Sequence, residues 1–134
     1  MTRIVTLPSG GRVRGRRLSE APASPADFLL ALAAGPLPAW PHRRIAWPDF
    51  WVPRDRLDAL DALTEGLQRA KDGELVEVAC RGGRGRTGTA IAALAVLDEM
   101  PATDAIRWVR QEYDRHAIET PWQARWVRGI QKDR

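Results

Sequence analysis

Apolar and polar residues are interspersed over two short runs near the start of the chain. Residues 3–7 and 12–18 form these runs, and the turn-forming residues 8–11 separate them. Short runs of this kind on either side of a Pro/Gly-rich turn predict a β-hairpin. In the second run Val13 and Leu18 stand among four arginines. The hairpin is therefore expected to be basic, with its arginines on a solvated face.

Helical signals follow in two segments. Ser24 is a suitable N-cap residue, with a proline at the first helical position and an early acid behind it, which predicts a helix through about Ala34. In residues 54–71 leucines recur at intervals of three, three and four, which predicts an amphipathic helix. We expect this leucine stripe to lie in the core: Leu57, Leu60, Leu63 and Leu67.

The middle of the chain contains two predicted strands and a loop. Residues 43–47 predict a brief strand, and residues 48–53 predict a loop because two prolines interrupt them. Residues 75–79 are a short, mainly apolar run that ends at a glycine-rich stretch. Such a run suits a buried central strand.

The rest of the chain predicts helices over residues 87–100, 101–113 and 120–131. The last two have apolar faces, formed by Ile106, Val109 and Tyr113 and by Trp122, Trp126 and Ile130. The strand, glycine loop and helix in succession predict an α/β fold in which a small central sheet is flanked by helices. A length of 134 residues predicts a single domain over residues 1–134.

Composition adds a preference for anionic partners. The apolar share of 44% and the charged share of 28% are those of a globular protein, and the formal charge of +4 comes almost entirely from arginine. An arginine-rich composition alone explains scattered arginines, so only clustered ones are informative. The chain starts without the apolar segment of a signal peptide, and its longest apolar run is too short to span a bilayer, so we expect a cytoplasmic protein.

Cys80 is the only cysteine, so it is either a buried structural residue or a reactive thiol. It opens the glycine-rich stretch Cys-Arg-Gly-Gly-Arg-Gly-Arg-Thr-Gly, residues 80–88, which partly matches two nucleotide-binding motifs. A dinucleotide fold needs a further strand ending in an acidic residue about 20 positions on, whereas residues 90–131 predict helix. A Walker loop needs a glycine where Cys80 stands and a lysine where Arg86 stands, so both nucleotide motifs fail.

The third interpretation is an anion-binding loop with a nucleophile. Successive backbone amides before a helix N-terminus form a nest for an anion, and the same field favours a thiolate at Cys80. Arg86 provides a planar fork for two phosphate oxygens, and the Thr87 hydroxyl can donate to the sulfur. The alternative is an ordinary glycine turn with a buried cysteine.

A thiolate that displaces an alkoxide or phenoxide needs an acid to protonate the leaving group. Asp49 is the candidate, because it lies in the proline-bounded loop Trp47-Pro48-Asp49 upstream. Hinging on the prolines would bring it over the phosphate. A Pro-Asp pair taken alone is more often just a turn.

The cysteine loop and the Trp-Pro-Asp triplet together resemble the signature loop, with its cysteine six residues before an arginine, and the mobile acid loop of the protein tyrosine phosphatase superfamily. The order and the small size are similar to its compact dual-specificity-like members. The resemblance implies catalytic roles for Cys80, Arg86 and Asp49 without a cofactor or metal. It implies a phosphate-binding role for the rest of the loop: Arg81, Gly82, Gly83, Arg84, Gly85 and Thr87.

Residues 117–123 are similar to the family segment that positions the hydrolytic water, which would give that role to Gln123. Thr120 and Gln123 also fit a helix capping box, and the two interpretations are compatible. The chain departs from the family pattern at Ala79, where a histidine is usual. His42 and His116 are the candidates to replace it in space.

The resemblance implies phosphatase activity on phosphotyrosine or dual-specificity protein substrates. Arg81 and Arg84 are similar to the basic loops of phosphoinositide phosphatases, so a small, multiply phosphorylated molecule is the alternative. Ala79 motivates a catalytically weak phosphate-binding module as a further alternative. Nucleic-acid binding would use a cluster of arginines: Arg12, Arg14, Arg16, Arg17, Arg43 and Arg44. No aromatic pattern accompanies this cluster, so we expect no nucleic-acid partner. A monomer is favoured.

Overall fold

The computed structural model describes residues 2–22 and 24–133. Five strands and four helices lie in this part of the chain. The strands are β1 (Arg3–Thr6), β2 (Arg12–Arg17), β3 (Phe28–Ala31), β4 (His42–Arg44) and β5 (Val76–Cys80). The helices are α1 (Arg56–Lys71), α2 (Gly85–Leu97), α3 (Ala102–Glu112) and α4 (Pro121–Asp133).

The strands form one mixed sheet in the order β1-β2-β5-β3-β4. Strand β1 is antiparallel to β2, which confirms the hairpin, and the other neighbours are parallel. Strand β5 is central and wholly buried, as its apolar run predicts. Because four strands run in the same direction, the segments that follow Cys80, Ala31 and Arg44 all start at one edge of the sheet. The prediction of an α/β fold with helices around a small sheet is confirmed.

The main core lies between the helices and one face of the sheet. Val76, Val78 and Cys80 alternate along β5 on that face and belong to the same buried apolar cluster as residues of all four helices. Helix α2 is buried from Gly85 through Val96, so it is the innermost helix. Among the described residues, no helix is long and apolar enough to cross a membrane.

The predicted helix over residues 24–34 is wrong, because this segment contains strand β3. All four residues of β3 are buried, and the strand pairs with β5 on one side and with β4 on the other. The Asp27 carboxylate accepts a hydrogen bond from the Leu75 backbone N–H at 2.7 Å and so serves the sheet and not a helix start. Pairing along two buried strand edges outweighs the local helix-start signal.

The predicted solvated face of the hairpin is also wrong for two of its four arginines. Arg14 and Arg16 are buried, and both bind Glu77 of β5, whose side chain is fully buried. The Nε atoms of the two arginines lie 3.0 Å and 2.6 Å from Glu77 Oε2, and Trp40 Nε1 donates to Glu77 Oε1 at 2.9 Å. This cluster lies on the sheet face opposite the helices, because Glu77 alternates with Val76 and Val78.

Helix α1 buries Leu63 and Leu67 as predicted, but Leu57 is 79% exposed. Small residues complete its buried face instead: Ala59, Ala62, Gly66 and Ala70. A Cβ on Gly66 would come within 2.9 Å of Leu30 of β3, so the helix lies close against the sheet. In α4, Ile130 is buried as predicted, whereas Trp122 is 41% exposed.

Candidate active site

The loop after β5 surrounds the sulfur atom of Cys80. The residue is 2% exposed, and its Sγ accepts hydrogen bonds from the Gly83 backbone N–H at 3.2 Å and the Thr87 hydroxyl at 3.0 Å. Both donors would stabilise the negative charge of a thiolate. The strand fixes the start of the loop, and α2 begins at Gly85, so the helix N-terminus faces the same space.

The far side of the loop rests on strand β2 and on Tyr113, which follows α3. Gly83 has a φ of 70°, and a Cβ there would lie 2.9 Å from the Arg16 carbonyl carbon, so this position requires glycine. The buried Tyr113 hydroxyl donates to the Gly83 carbonyl oxygen. Its ring packs directly against Gly15, where a Cβ would overlap it. Burial and, to a smaller extent, the charge of Cys80 raise the pKa of Tyr113, which keeps it a donor.

The apolar pattern predicts that Tyr113 is a core residue but not that it contacts the phosphate loop. The only available signal is that a buried tyrosine hydroxyl needs a hydrogen-bond partner. Which partner it finds depends on the packing of α3 against β2 and the loop.

Arg86 joins the loop to the neighbouring strand ends. Its buried guanidinium donates through Nη1 to the Trp47 carbonyl at 2.8 Å and to the Leu32 carbonyl at 3.3 Å. Its Nε lies 3.4 Å from Asp49 Oδ1, and it is a buried polar atom with no hydrogen-bond partner in the described part of the chain. A buried donor in this state calls for an acceptor, and a phosphate oxygen fits that requirement.

The loop that carries Asp49 is held over this edge of the sheet. Trp47 is buried, and its Nε1 donates to the Trp51 carbonyl at 2.8 Å. Two side chains at the start of α4 bind the same loop: Trp122 Nε1 donates to the Phe50 carbonyl at 2.6 Å, and Gln123 Nε2 donates to the Trp51 carbonyl at 2.9 Å. The structure therefore places the Asp49 carboxylate, whose side chain is 56% exposed, 3.4 Å from Arg86 Nε, and Cys80 begins the loop that ends at Arg86.

Gln123 makes the contacts of the predicted capping box. Its Oε1 accepts from the Glu119 backbone N–H at 2.9 Å and the Thr120 N–H at 3.3 Å, and Thr120 Oγ1 accepts from the Gln123 N–H at 3.2 Å. With Nε2 bound to the acid loop, the buried amide links α4 to that loop. The role of aligning water stays a prediction for Gln123.

Glu119 is a site residue that sequence reasoning missed. Its carboxylate lies against Gly85, so that a Cβ on this glycine would overlap it. Partial desolvation of its carboxylate beside the loop, and then the charge of Asp49, raise the pKa of Glu119, although the residue as a whole is exposed. Ile118 has a φ of 61°, and this unusual backbone turns the segment toward the loop. No residue pattern indicates such a turn at an isoleucine, which is why the contact is not predictable.

The comparisons with known proteins agree with this geometry. The family model "Protein-tyrosine phosphatase" matches residues 39–114, more than half of the chain and a range that includes Asp49, Cys80 and Arg86. The chain belongs to the protein-tyrosine phosphatase family. A search of curated proteins finds no sequence match.

Solved phosphatase structures share the fold. The G95A mutant form of Tk-PTP superposes with a TM-score of 0.79 at 21% identity, covering 98% of this chain and 95% of that one. Human DUSP28 gives a TM-score of 0.76 at 13% identity, covering 97% and 93%. PTPMT1 in complex with PI(5)P gives 0.66 at 16% identity, covering 90% of each chain. This phosphatase therefore has the compact dual-specificity-like form of the family fold.

The position where the family usually has histidine is apolar in this phosphatase. Ala79 is buried with Leu18, Leu29 and Ala31 on the sheet face opposite the helices. His116 lies 3.3 Å from Asp114, and His42 is exposed on β4. Within the described residues, neither histidine hydrogen-bonds to Cys80, so the sulfur is served by the loop amide and Thr87 alone.

Arg81 and Arg84, the other two arginines of the loop, lie beside different parts of the protein. Arg84 Nε lies 3.6 Å from Asp114 Oδ2, on the side of α3. Arg81 is exposed and lines a cavity that also contains Asp49 and Arg86. Of the two, Arg81 is the one that shares this cavity with Asp49 and Arg86.

Replacing Glu119 by glutamine should stabilise the fold at neutral pH and not at low pH. The raised pKa means that the folded protein holds the Glu119 proton more tightly than the unfolded chain, whose glutamates titrate near about 4.3. The free energy of unfolding therefore falls as the pH rises from about 4.3 through the raised pKa of Glu119. Glutamine does not ionise and so avoids this loss. Thermal midpoints measured from pH 3.5 to pH 8, with the exposed Glu112→Gln as control, test this. A difference that stays constant with pH would contradict it.

Proposed function

We propose that the chain hydrolyses phosphate monoesters through a cysteinyl-phosphate intermediate. The observation that supports this most is the meeting of three groups at one edge of the sheet. They are the Cys80 sulfur with its two donors, the Arg86 Nε, which has no hydrogen-bond partner among the described residues, and the Asp49 carboxylate, which lies 3.4 Å from that Nε. Each group has a separate task in phosphoryl transfer to a thiolate.

In the first step the Cys80 thiolate attacks phosphorus, a P–S bond forms and the P–O bond to the leaving group breaks. Asp49 gives its proton to the departing oxygen. Arg86 and the backbone amides of the loop hold the other phosphate oxygens through the transition state. In the second step Asp49 takes a proton from water, water oxygen bonds to phosphorus, and the P–S bond breaks to regenerate the thiolate and release phosphate. Gln123 aligning that water is part of the proposal.

Hydrolysis of p-nitrophenyl phosphate by the purified chain tests the reaction. Asp49→Asn should lower kcat/KM, which reports the step that expels the leaving group, by about 10²–10⁴-fold on phenyl phosphate, in the range of a lost general acid. The loss should be smaller on p-nitrophenyl phosphate, because p-nitrophenolate leaves without a proton. Asp104→Asn, which changes an exposed carboxylate on α3, is the control. Equal losses on both substrates would contradict the acid role of Asp49.

Protein substrates bearing phosphotyrosine, or phosphotyrosine together with phosphoserine or phosphothreonine, are the first candidate class. Exposed aromatic side chains support it, since Phe50 and Trp51 are 54% and 52% exposed directly after Asp49. They could flank the ring of a phosphotyrosine. The fold likeness to human DUSP28 is consistent with this class.

Small phosphorylated molecules, including phosphoinositides, are the second candidate class. PTPMT1, which has the same fold, was solved in complex with PI(5)P. In this chain the observation that favours the class is the arginine-lined cavity beside Asp49. A kcat/KM comparison of phosphotyrosine, phosphoserine and phosphoinositide substrates separates the two classes.

A catalytically weak phosphate-binding module is the remaining candidate, and it is motivated by Ala79. Binding alone does not require Asp49, so the presence of this acid beside Arg86 favours catalysis. Phosphopeptide binding without vanadate-sensitive turnover would favour the module. Cytoplasmic localisation and a monomeric state stay predictions.

Three of the arginines that could form a nucleic-acid-binding surface are buried or paired with carboxylates. Arg14 and Arg16 are buried against Glu77, and Arg43 pairs with three carboxylates on α1. Arginines neutralised by protein carboxylates are poor donors to a phosphate backbone.

A further inference from the structure

A cavity of about 410 Å³ opens beside the phosphate loop, between the segments that follow β3 and β4. Leu32, Ile45 and Trp47 give it a buried apolar floor. Asp49 and Arg86 belong to its wall, so it is continuous with the space in which the ester would react. A cavity of this size suits a small molecule, since ligand sites are commonly about 300–1,000 Å³.

The residues that line this cavity carry more positive charge than the binding of one phosphate group needs. Four arginines and one aspartate line it: Arg44, Arg54, Arg81, Arg86 and Asp49. Arg86 faces Asp49 and is the arginine that we assign to the reacting phosphate. Arg81 belongs to the loop around that phosphate. Arg44 and Arg54 are therefore left without a task in the reaction.

Arg44 and Arg54 have no carboxylate partner within the described residues, and both are exposed. The contrast with Arg43, the neighbour of Arg44 on β4, is direct: Arg43 lies 2.8 to 3.1 Å from Asp58, Asp61 and Glu65. Uncompensated arginines gathered in a concave site raise the local concentration of anions and bind phosphate or carboxylate with forked hydrogen bonds.

We infer that Arg44 and Arg54 form a second anion subsite, and that the substrate is a small phosphate monoester carrying a second phosphate group on the same scaffold. This inference rests on the proposed monoester hydrolysis. The reacting phosphate occupies the loop at Cys80, the scaffold lies on the apolar floor, and the second phosphate contacts Arg44 and Arg54. Asp49, which lines the same cavity and lies 3.4 Å from Arg86 Nε, protonates the leaving oxygen.

A matched pair of substrates tests the inference: phenyl phosphate and benzene-1,3-diyl bisphosphate. The unsubstituted protein should use the bisphosphate at least tenfold better in kcat/KM, beyond the statistical factor of two. In Arg44→Ala and Arg54→Ala this preference should fall about tenfold. Arg107→Ala, an exposed arginine on α3, should retain it. Raising the salt concentration should reduce the preference, because the added contact is between charges.

Binding to Cys80→Ser keeps the inference testable if turnover is absent. Calorimetry with the same two compounds should again show tighter binding of the bisphosphate, and Arg44→Ala in the Cys80→Ser background should abolish that difference. Turnover of phenyl phosphate without any bisphosphate preference would overturn the subsite and leave the proposed reaction intact. Preference for an acidic phosphotyrosine peptide over the bisphosphate, insensitive to Arg44→Ala, would overturn the small-molecule substrate. Inositol monophosphate and bisphosphate, offered free and as lipid headgroups in vesicles, distinguish a soluble substrate from a lipid one.

Discussion

Cys80→Ser should remove turnover of p-nitrophenyl phosphate, with a fall in kcat on the order of 10³–10⁶-fold, as seen when a covalent nucleophile is lost. The serine hydroxyl is a far weaker nucleophile than a thiolate near neutral pH. The loop should keep its shape, because the Gly83 N–H and the Thr87 hydroxyl can donate to serine oxygen as they do to sulfur. Initial rates of the purified variant measure the effect.

Thermal unfolding and phosphate or vanadate binding provide the control for Cys80→Ser. We expect an unfolding midpoint close to that of the unsubstituted protein and retained binding of oxyanions. Undiminished hydrolysis by a correctly folded Cys80→Ser would contradict the covalent mechanism, and Asp49 or water would then have to be the attacking group.

Glu77→Gln should destabilise the protein by about 3–5 kcal/mol, the range for a broken buried ion pair. Glu77 is the counter-charge of two buried arginines, and no other carboxylate of the described residues lies within ion-pair distance of Arg14 or Arg16. The loss is a large share of a typical folding stability of about 5–15 kcal/mol. Urea unfolding followed by tryptophan fluorescence measures it.

Glu74→Gln is the matched control for Glu77→Gln. Glu74 pairs with Arg69 at the surface, where both side chains are about 33% exposed, and the change should cost about 0–1 kcal/mol. If Glu77→Gln fails to fold, Glu77→Leu combined with Arg14→Met and Arg16→Met should recover stability, because no charge is then left unpaired. Equal, small losses for Glu77→Gln and Glu74→Gln would contradict the structural role of Glu77.

Much of the fold follows from local patterns, and the exceptions have a common cause. The hairpin, the central strand and the four helices α1 to α4 are visible in periodicity and turn residues. Strand β3 is hidden, because residues 24–27 have the signals of a helix start while residues 28–31 are apolar and fit either structure. The choice depends on two partner strands that are distant in sequence.

The candidate site also has some features that follow from local sequence and others that depend on distant parts of the chain. The contact between Asp49 and Arg86 agrees with the order of the two loops in the sequence, whereas the catalytic roles of Cys80, Arg86 and Asp49 stay predictions. Glu119 and Tyr113 are not predictable as site residues, because they reach the loop through an unusual backbone turn and through helix packing. The buried pair Arg14 and Arg16 is missed for a similar reason: the counter-charge on Glu77 lies more than 60 residues away in the chain.

The most direct test of the central claim is to trap the phosphorylated enzyme. Asp49→Asn should slow the second step, so rapid quenching during p-nitrophenyl phosphate turnover should accumulate the intermediate. We predict that mass spectrometry finds one phosphoryl group per chain on the peptide containing Cys80, and none in the Cys80→Ser protein. Steady turnover with no phosphoryl group on Cys80 at any quench time would contradict the account.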